Sequence, residues 1–185
     1  MESGASILNH VYGAKGPGSK EIARLAAESG CNLLVSAHEP ESRTGSGEGP
    51  IERVTSALSK SIEFCKSAGV LEKKIIIDPG IGFFKDERIS NVEWNTIVLA
   101  QLEELRRFCL PICVGLSRKS FLGQLIGGKS PQDRLTASTA ANSVAVYNGA
   151  HIIRTHDVQE TREASIVAKA IREKRFIRSG LQSEI

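Results

Sequence analysis

The sequence predicts an α/β protein of repeated β-α units, an incomplete TIM-barrel type with a parallel sheet of about five strands. Three observations carry this prediction. Short apolar runs alternate with longer segments whose apolar residues recur at helical spacing. The runs are apolar at nearly every position, as in parallel strands covered on both faces. Chemistry-bearing residues also follow at least three of the runs, as they do at the carboxyl ends of barrel strands. Asp78 follows Ile75-Ile76-Ile77, Arg118 and Lys119 follow Ile112-Cys113-Val114-Gly115, and Arg154 and His156 follow Ile152-Ile153. An open doubly wound sheet is the alternative; no GxGxxG opens a helix after the first strand to support it.

Each unit has its own signals. The first strand covers Ala5 to Tyr12, a turn runs from Gly13 to Gly18, and a helix spans Ser19 to Ser29, with Ser19 as its cap and Glu21 in its first turn. The second strand is Cys31 to His38. Glu39 to Gly49, rich in Glu, Ser, Gly and Pro, predicts a mobile surface loop before a helix over Pro50 to Ala68. Lys74 to Ile77 form the third strand, followed by a helix over Val92 to Phe108. The fourth strand is Ile112 to Gly115, with a short helix from Ser120 and a second over Pro131 to Asn148. His151 to Ile153 close the set, with a helix over Gln159 to Lys174 and a polar tail from Arg178.

At 185 residues and 41% hydrophobic content the chain predicts one domain, residues 1-185, with a sizeable core. A net charge of +3 with scattered basic residues argues for neither nucleic acid nor a membrane surface as partner. No apolar run reaches membrane-helix length, and Met1-Glu2-Ser3-Gly4 does not open a secretory signal, so a cytoplasmic protein is expected. Cys31, Cys65, Cys109 and Cys113 lack paired metal spacing and are expected to be buried, reduced thiols. His10, His38 and His151 form no recognised ligand spacing, so no protein-bound metal is expected.

Asp78 is the sharpest candidate. A carboxylate on the last turn of a buried strand is costly unless hydrogen-bonded. It either caps the Pro79-Gly80 bend or binds a flat heterocycle that offers adjacent N–H donors. Gly80 and Gly82 allow a tight turn or a close approach to a ligand, and Phe83 and Phe84 bring aromatic faces, for packing or for stacking. Ser117-Arg118-Lys119-Ser120 opens a helix and can gather an anion or a carbonyl, or simply cap that helix. Arg154 and His156, two apart on an extended strand end, point to one side and suit a phosphate or pyrophosphate; otherwise His156 is structural. Asp157 would cap the last helix, and Asn9, at the first strand's end, adds an amide.

Taken together, Ile77-Asp78-Pro79-Gly80-Ile81-Gly82-Phe83 with Lys85, Gly115-Leu116-Ser117-Arg118-Lys119-Ser120-Phe121, and Arg154-Thr155-His156-Asp157-Val158 resemble the dihydropteroate synthase family of pterin-binding barrels. Gly4-Ala5-Ser6-Ile7-Leu8-Asn9 extends the resemblance over nearly the whole chain, at the level of the last five of that family's eight strands. It implies condensation of 6-hydroxymethyl-7,8-dihydropterin diphosphate with 4-aminobenzoate to 7,8-dihydropteroate and pyrophosphate, in folate biosynthesis. By the same resemblance, Asn9 and Asp78 would hydrogen-bond the pterin, and Lys119 its carbonyl or ring nitrogen. Arg154 would lie on the pterin face, Arg154 and His156 would hold the diphosphate, and Phe83 and Ser117 would lie toward 4-aminobenzoate. Catalysis would fall to Lys119, Arg154 and His156, and Mg²⁺ would be carried by the substrate diphosphate.

The departures are equally specific. The family's first three strands, with their metal-linked Asn, mobile loops and second pterin-binding Asp, have no counterpart here. His10 stands where the family has Asp, and Ser36-Ala37-His38 replaces a Met-His-Met type of strand end. Two unpaired sheet edges would result, and they predict association with a complementary chain or a second copy. Two alternative functions are a non-catalytic pterin-binding or scaffold protein and a pterin-dependent methyltransferase, the latter disfavoured because it has no use for a diphosphate site.

Overall fold

The computed structural model describes residues 4–38 and 47–181. The segment 39–46, most of the predicted loop, lies outside the described residues. In chain order the elements are β1 (Ile7–His10), α1 (Ser19–Ser29), β2 (Asn32–Ser36), α2 (Pro50–Ser67), β3 (Ile75–Asp78), α3 (Asn91–Ala100), β4 (Cys113–Val114), α4 (Ser120–Leu125), α5 (Leu135–Tyr147), β5 (Ile152–Ile153) and α6 (Val158–Leu181).

All strand pairings among the described residues are parallel. β1 pairs with β2 and β2 with β3, while β4 pairs with β5. The two sheets join through a bridge between Ile77 and Ile112, where the Ile77 amide donates to the Pro111 carbonyl at 2.9 Å. The order β1-β2-β3-β4-β5 is that of a barrel followed round part of its circumference and left open, as predicted. Leu33, Val35, Ile75 and Ile77 turn to the helices, and the main core forms there with Val54 and Leu58 of α2, Val98 of α3 and Ala145 of α5. Leu34, Ile76 and Cys113 pack on the opposite, inner face.

Several boundaries differ from expectation for local reasons. The predicted helix over 92–108 ends as α-helix at Ala100 and continues as a 3-10 helix over Leu102–Phe108. The Asn148 side chain donates to the carbonyls of Leu99 and Ala100, which takes acceptors from a continuing helix. Pro131–Arg134 is also 3-10 before α5 begins. Ser19 is the first residue of α1, not its cap; Gly18 holds that position, and the Ser19 hydroxyl donates to the Gly13 and Gly16 carbonyls. The expected tail from Arg178 is helical as far as Leu181. Of the cysteines, Cys65 and Cys113 are buried, but Cys31 is half-buried and Cys109 is exposed at the left-handed end of the 3-10 helix.

Candidate functional site

Parallel register fixes which residues share the inner face. Asn9 is level with Leu34, and Leu34 with Ile76; one layer nearer the carboxyl ends, Ser36 is level with Asp78. Ser36 and Asp78 therefore form a polar floor above the apolar layer of Leu34, Ile76 and Cys113. Asp78 is 2% exposed. Its Oδ1 accepts from the Gly80 amide at 2.8 Å, so the predicted cap of the Pro79-Gly80 bend is real. Its Oδ2 and the Ser36 hydroxyl are buried and have no hydrogen-bond partner among the described residues. Most buried polar atoms are satisfied, so two orphans level with each other on adjacent strands make this floor the candidate surface for an outside donor and acceptor.

Of the three cationic groups after β4 and β5, Arg154 meets this floor and Lys119 stands at the mouth beside it. The Arg154 guanidinium lies 3.5 Å from Asp78 Oδ2, with its side chain 41% exposed. Gly115 allows this, because a Cβ there would sit 2.9 Å from the Arg154 guanidinium. Lys119 donates to the Ile81 carbonyl at 2.8 Å and lies 4.8 Å from the centroid of the Phe83 ring. Arg118 turns away. Its backbone is left-handed at φ 60°, its amide donates to Ser138 Oγ, and its guanidinium binds Asp157 Oδ1 at 2.9 Å. Asp157 thus occupies the position before α6 but spends its side chain on Arg118 rather than on the helix amides, which corrects its predicted capping role.

Burial dominates the electrostatics. It raises the Asp78 pKa above the ordinary carboxylate range, although the Gly80 amide, Arg154 and Lys119 all oppose the rise. It also lowers the Lys119 pKa; Asp78 opposes that shift and Arg154 adds to it. Both groups are poised to gain from a ligand that completes their hydrogen bonding.

His156 is exposed, and its Nδ1 lies 2.9 Å from Ser117 Oγ, which also accepts from the His156 amide at 3.3 Å. Ser117 and Arg118 therefore bind the loop after β4 to the loop after β5, through His156 and Asp157. Phe83 and Phe84 separate cleanly. Phe83 is 36% exposed at the mouth, 6.3 Å from His38 in a train of rings that continues to Tyr12 and His10. Phe84 is core, stacked on Trp94 at 5.3 Å. Asn9 is exposed on the edge strand β1, two strands from Asp78 and one layer deeper, so the two are not in contact. Among the described residues no group of three His, Cys, Asp or Glu could hold a metal ion.

Sequence reasoning missed three contributors. Ser36 stands out in the sequence only as part of the Ser36-Ala37-His38 strand end, and it is the register with Asp78 that brings it to the floor. Arg53, 1% exposed within α2, binds Asp86 at 2.7 Å and lies 4.5 Å from the Trp94 ring, so it pins the loop after β3. Asn95, within α3, accepts from the Gly82 amide.

The family model of pterin binding enzymes matches residues 1–156. The chain belongs to the pterin-binding enzyme family. Within that family it is 37% identical over 171 residues to an Escherichia coli K12 dihydropteroate synthase, across 90% of this chain and 57% of that protein. A solved Yersinia pestis dihydropteroate synthase with a pterin-sulfa conjugate superposes with a TM-score of 0.80 at 34% identity, over 93% of this chain and 63% of that one. A Coxiella burnetii dihydropteroate synthase in complex with pteroic acid gives 0.80 at 33% identity, over 92% and 62%. The chain thus spans about three fifths of the length of these relatives. As a pterin-binding family member it has the expected fold, a TIM-barrel type that is open among the described residues.

Proposed function

We propose that this chain carries the pterin- and diphosphate-binding part of a dihydropteroate synthase, which joins 6-hydroxymethyl-7,8-dihydropterin diphosphate to 4-aminobenzoate. The observation that carries the reading is the buried Asp78 Oδ2, without a hydrogen bond and level with a Ser36 hydroxyl that also has none. An aminopyrimidine edge offers adjacent N–H donors that fit such a floor. The relatives' ligands support it, a pterin-sulfa conjugate in one and pteroic acid in another.

In this reading Asp78 binds the aminopyrimidine edge and Arg154 lies against the pterin face. Lys119 meets the pterin carbonyl or ring nitrogen, and Asn9 contributes from the deeper layer. Arg154 and His156 hold the diphosphate, and Phe83 and Ser117 face the 4-aminobenzoate. The amine nitrogen bonds to the pterin methylene carbon as the bond from that carbon to the diphosphate oxygen breaks. Pyrophosphate leaves with the electron pair, and the amine gives up a proton. No protein nucleophile is needed; positioning and charge stabilisation of the leaving group carry the catalysis. Mg²⁺ would arrive on the diphosphate and supply further charge neutralisation.

Ile7 on β1 and Ile152 on β5 are exposed hydrophobic residues on the two open edges. The reading therefore includes a complementary chain or a second copy pairing there; sedimentation as a stable monomer would count against it. No described helix is long and apolar enough to cross a membrane, and a cytoplasmic setting belongs to the same proposal. The test is calorimetric titration with 6-hydroxymethyl-7,8-dihydropterin diphosphate and Mg²⁺, with oligomeric state measured on the same sample. Saturable binding is expected, and its absence in folded protein overturns the reading. Binding without dihydropteroate formation, even with candidate complementary chains added, would favour the non-catalytic alternative.

A further inference from the structure

Asn95 has 0% exposure and sits on α3, outside every motif that the sequence singled out. A buried amide is stable only when its donors and acceptor are matched. Its Nδ2 donates to the Asn91 carbonyl and to Asn91 Oδ1, at 2.6 and 2.9 Å. Its Oδ1 accepts from the Gly82 amide at 2.7 Å. That amide belongs to the same peptide unit as the Ile81 carbonyl, and the Ile81 carbonyl is the one that accepts from Lys119 at 2.8 Å. In a trans peptide the N–H and C=O point in opposite directions from one rigid plane. Asn95 on one side and Lys119 on the other therefore grip a single plane.

The plane needs a grip. Gly80 and Gly82 flank Ile81 with φ of 71° and 87°, and glycine resists rotation least of all residues. If the Ile81–Gly82 peptide turned over, it would present an N–H to the Lys119 ammonium in place of a carbonyl. Gly82 also leaves room for that ammonium, since a Cβ there would stand 3.3 Å from Lys119 Nζ.

We propose that Asn95 is a positioning residue that acts through the Ile81–Gly82 peptide to hold the Lys119 ammonium at the mouth of the pocket, beside Phe83. Its effect on ligand binding rests on the reading of Lys119 as a pterin contact; its effect on Lys119 itself does not. The first experiment therefore needs no ligand. Asn95→Leu removes the acceptor. Asn95→Ser is too short to reach Gly82 but can back-bond to the Asn91 carbonyl, and so guards against failure to fold. Asn95→Asp, as the neutral acid that full burial favours, keeps an oxygen for the Gly82 amide and an O–H donor for Asn91. Lys119 acetylation by dilute acetic anhydride is followed by peptide mass spectrometry, with the exposed Lys60 and Lys73 as internal references.

Lys119 should react about tenfold faster in the Leu and Ser variants, the equivalent of one lost hydrogen bond to a charged group. It should keep the wild-type rate in Asn95→Asp, and the reference lysines should not change. Wild-type labelling of Lys119 in a folded Leu or Ser variant overturns the proposal whether or not the pterin binds. The second arm is a double-mutant cycle on the affinity for pterin diphosphate. Asn95→Ser should weaken binding about tenfold in the wild-type background and not at all in Lys119→Ala. Equal losses in both backgrounds would mean that Asn95 acts independently of Lys119, and would equally overturn it.

Discussion

Replacing Asp78 by Asn should make the ligand-free protein more stable and its pterin complex weaker. In the native chain Oδ1 is satisfied by the Gly80 amide, and an amide oxygen in its place can accept the same bond. Oδ2 has no hydrogen bond, and its contact with the half-exposed Arg154 is 3.5 Å long. The folded protein therefore carries a desolvated, half-satisfied charge that the unfolded chain does not. Removing that charge should stabilise the fold by about 1 to 3 kcal/mol. For a chain of this size each kcal/mol raises the midpoint of thermal unfolding by about 2 to 4 °C. The same substitution takes from the ligand a charge-assisted acceptor of about 1.5 to 3 kcal/mol, a rise in Kd of roughly tenfold to a hundredfold.

The two effects have different pH profiles. Because burial raises the Asp78 pKa, the folded state holds this proton more tightly than the unfolded chain does. The Asp78 contribution therefore favours folding below the ordinary carboxylate range and is lost as pH rises through the raised value. The stability gap between Asp78→Asn and wild type should be near zero in acid, open across that window and level off above it. Thermal unfolding from acid to neutral pH, paired with calorimetry at neutral pH, reads both. A variant that is less stable than wild type at neutral pH, or that binds 6-hydroxymethyl-7,8-dihydropterin diphosphate with unchanged affinity, would refute the reasoning.

Arg154→Ala should weaken the diphosphate ligand by about 1.5 to 3 kcal/mol, and by more than it weakens the bare pterin; equal losses in calorimetry would remove the diphosphate role. Gly80→Ala places a Cβ 2.1 Å from the Ala37 carbonyl oxygen on a backbone with φ of 71°. Where Gly→Ala at a compatible backbone gains about 0.4 to 1 kcal/mol, here it should lose more than that, and a neutral result in thermal unfolding would contradict the turn geometry. Phe84→Ala should cost about 3 to 5 kcal/mol because it empties the stack with Trp94. Phe83→Ala, at the exposed mouth, should leave the unfolding midpoint nearly unchanged, and similar losses for the two would mean that their roles are not separate.

What the sequence revealed and what it concealed divide along one physical line. The strand-then-charge pattern located Asp78, Lys119 and Arg154, because an apolar β run followed by a charged residue is a local signal and the barrel gathers strand ends without further information. It also placed all five strands, although the ends of the longer helices depended on distant groups such as Asn148. What could not be read were relations between residues far apart in the chain. Arg118 and Lys119 are adjacent and equally basic, yet a left-handed backbone at Arg118 sends one to Asp157 and the other toward Phe83. Phe83 and Phe84 are identical in type, and only the positions of Lys119, Trp94 and Arg53 decide which is mouth and which is core.

The same distinction explains where this fold carries its strain. Asp78 is held in place by groups from three segments: its own bend through the Gly80 amide, the end of β2 through the Ala37 amide on the Asp78 carbonyl, and the end of β5 through Arg154. None of these satisfies Oδ2 with a hydrogen bond. A scaffold selected only for stability would have placed an apolar residue here or completed the hydrogen bonding, since a lone buried carboxylate oxygen weakens the fold. Surrounding Asp78 with support while leaving one oxygen open keeps the carboxylate rigid and unsolvated. A ligand that brings its own donors would then gain hydrogen bonds to Oδ2 without breaking one made by the protein, with Arg154 as the group beside it.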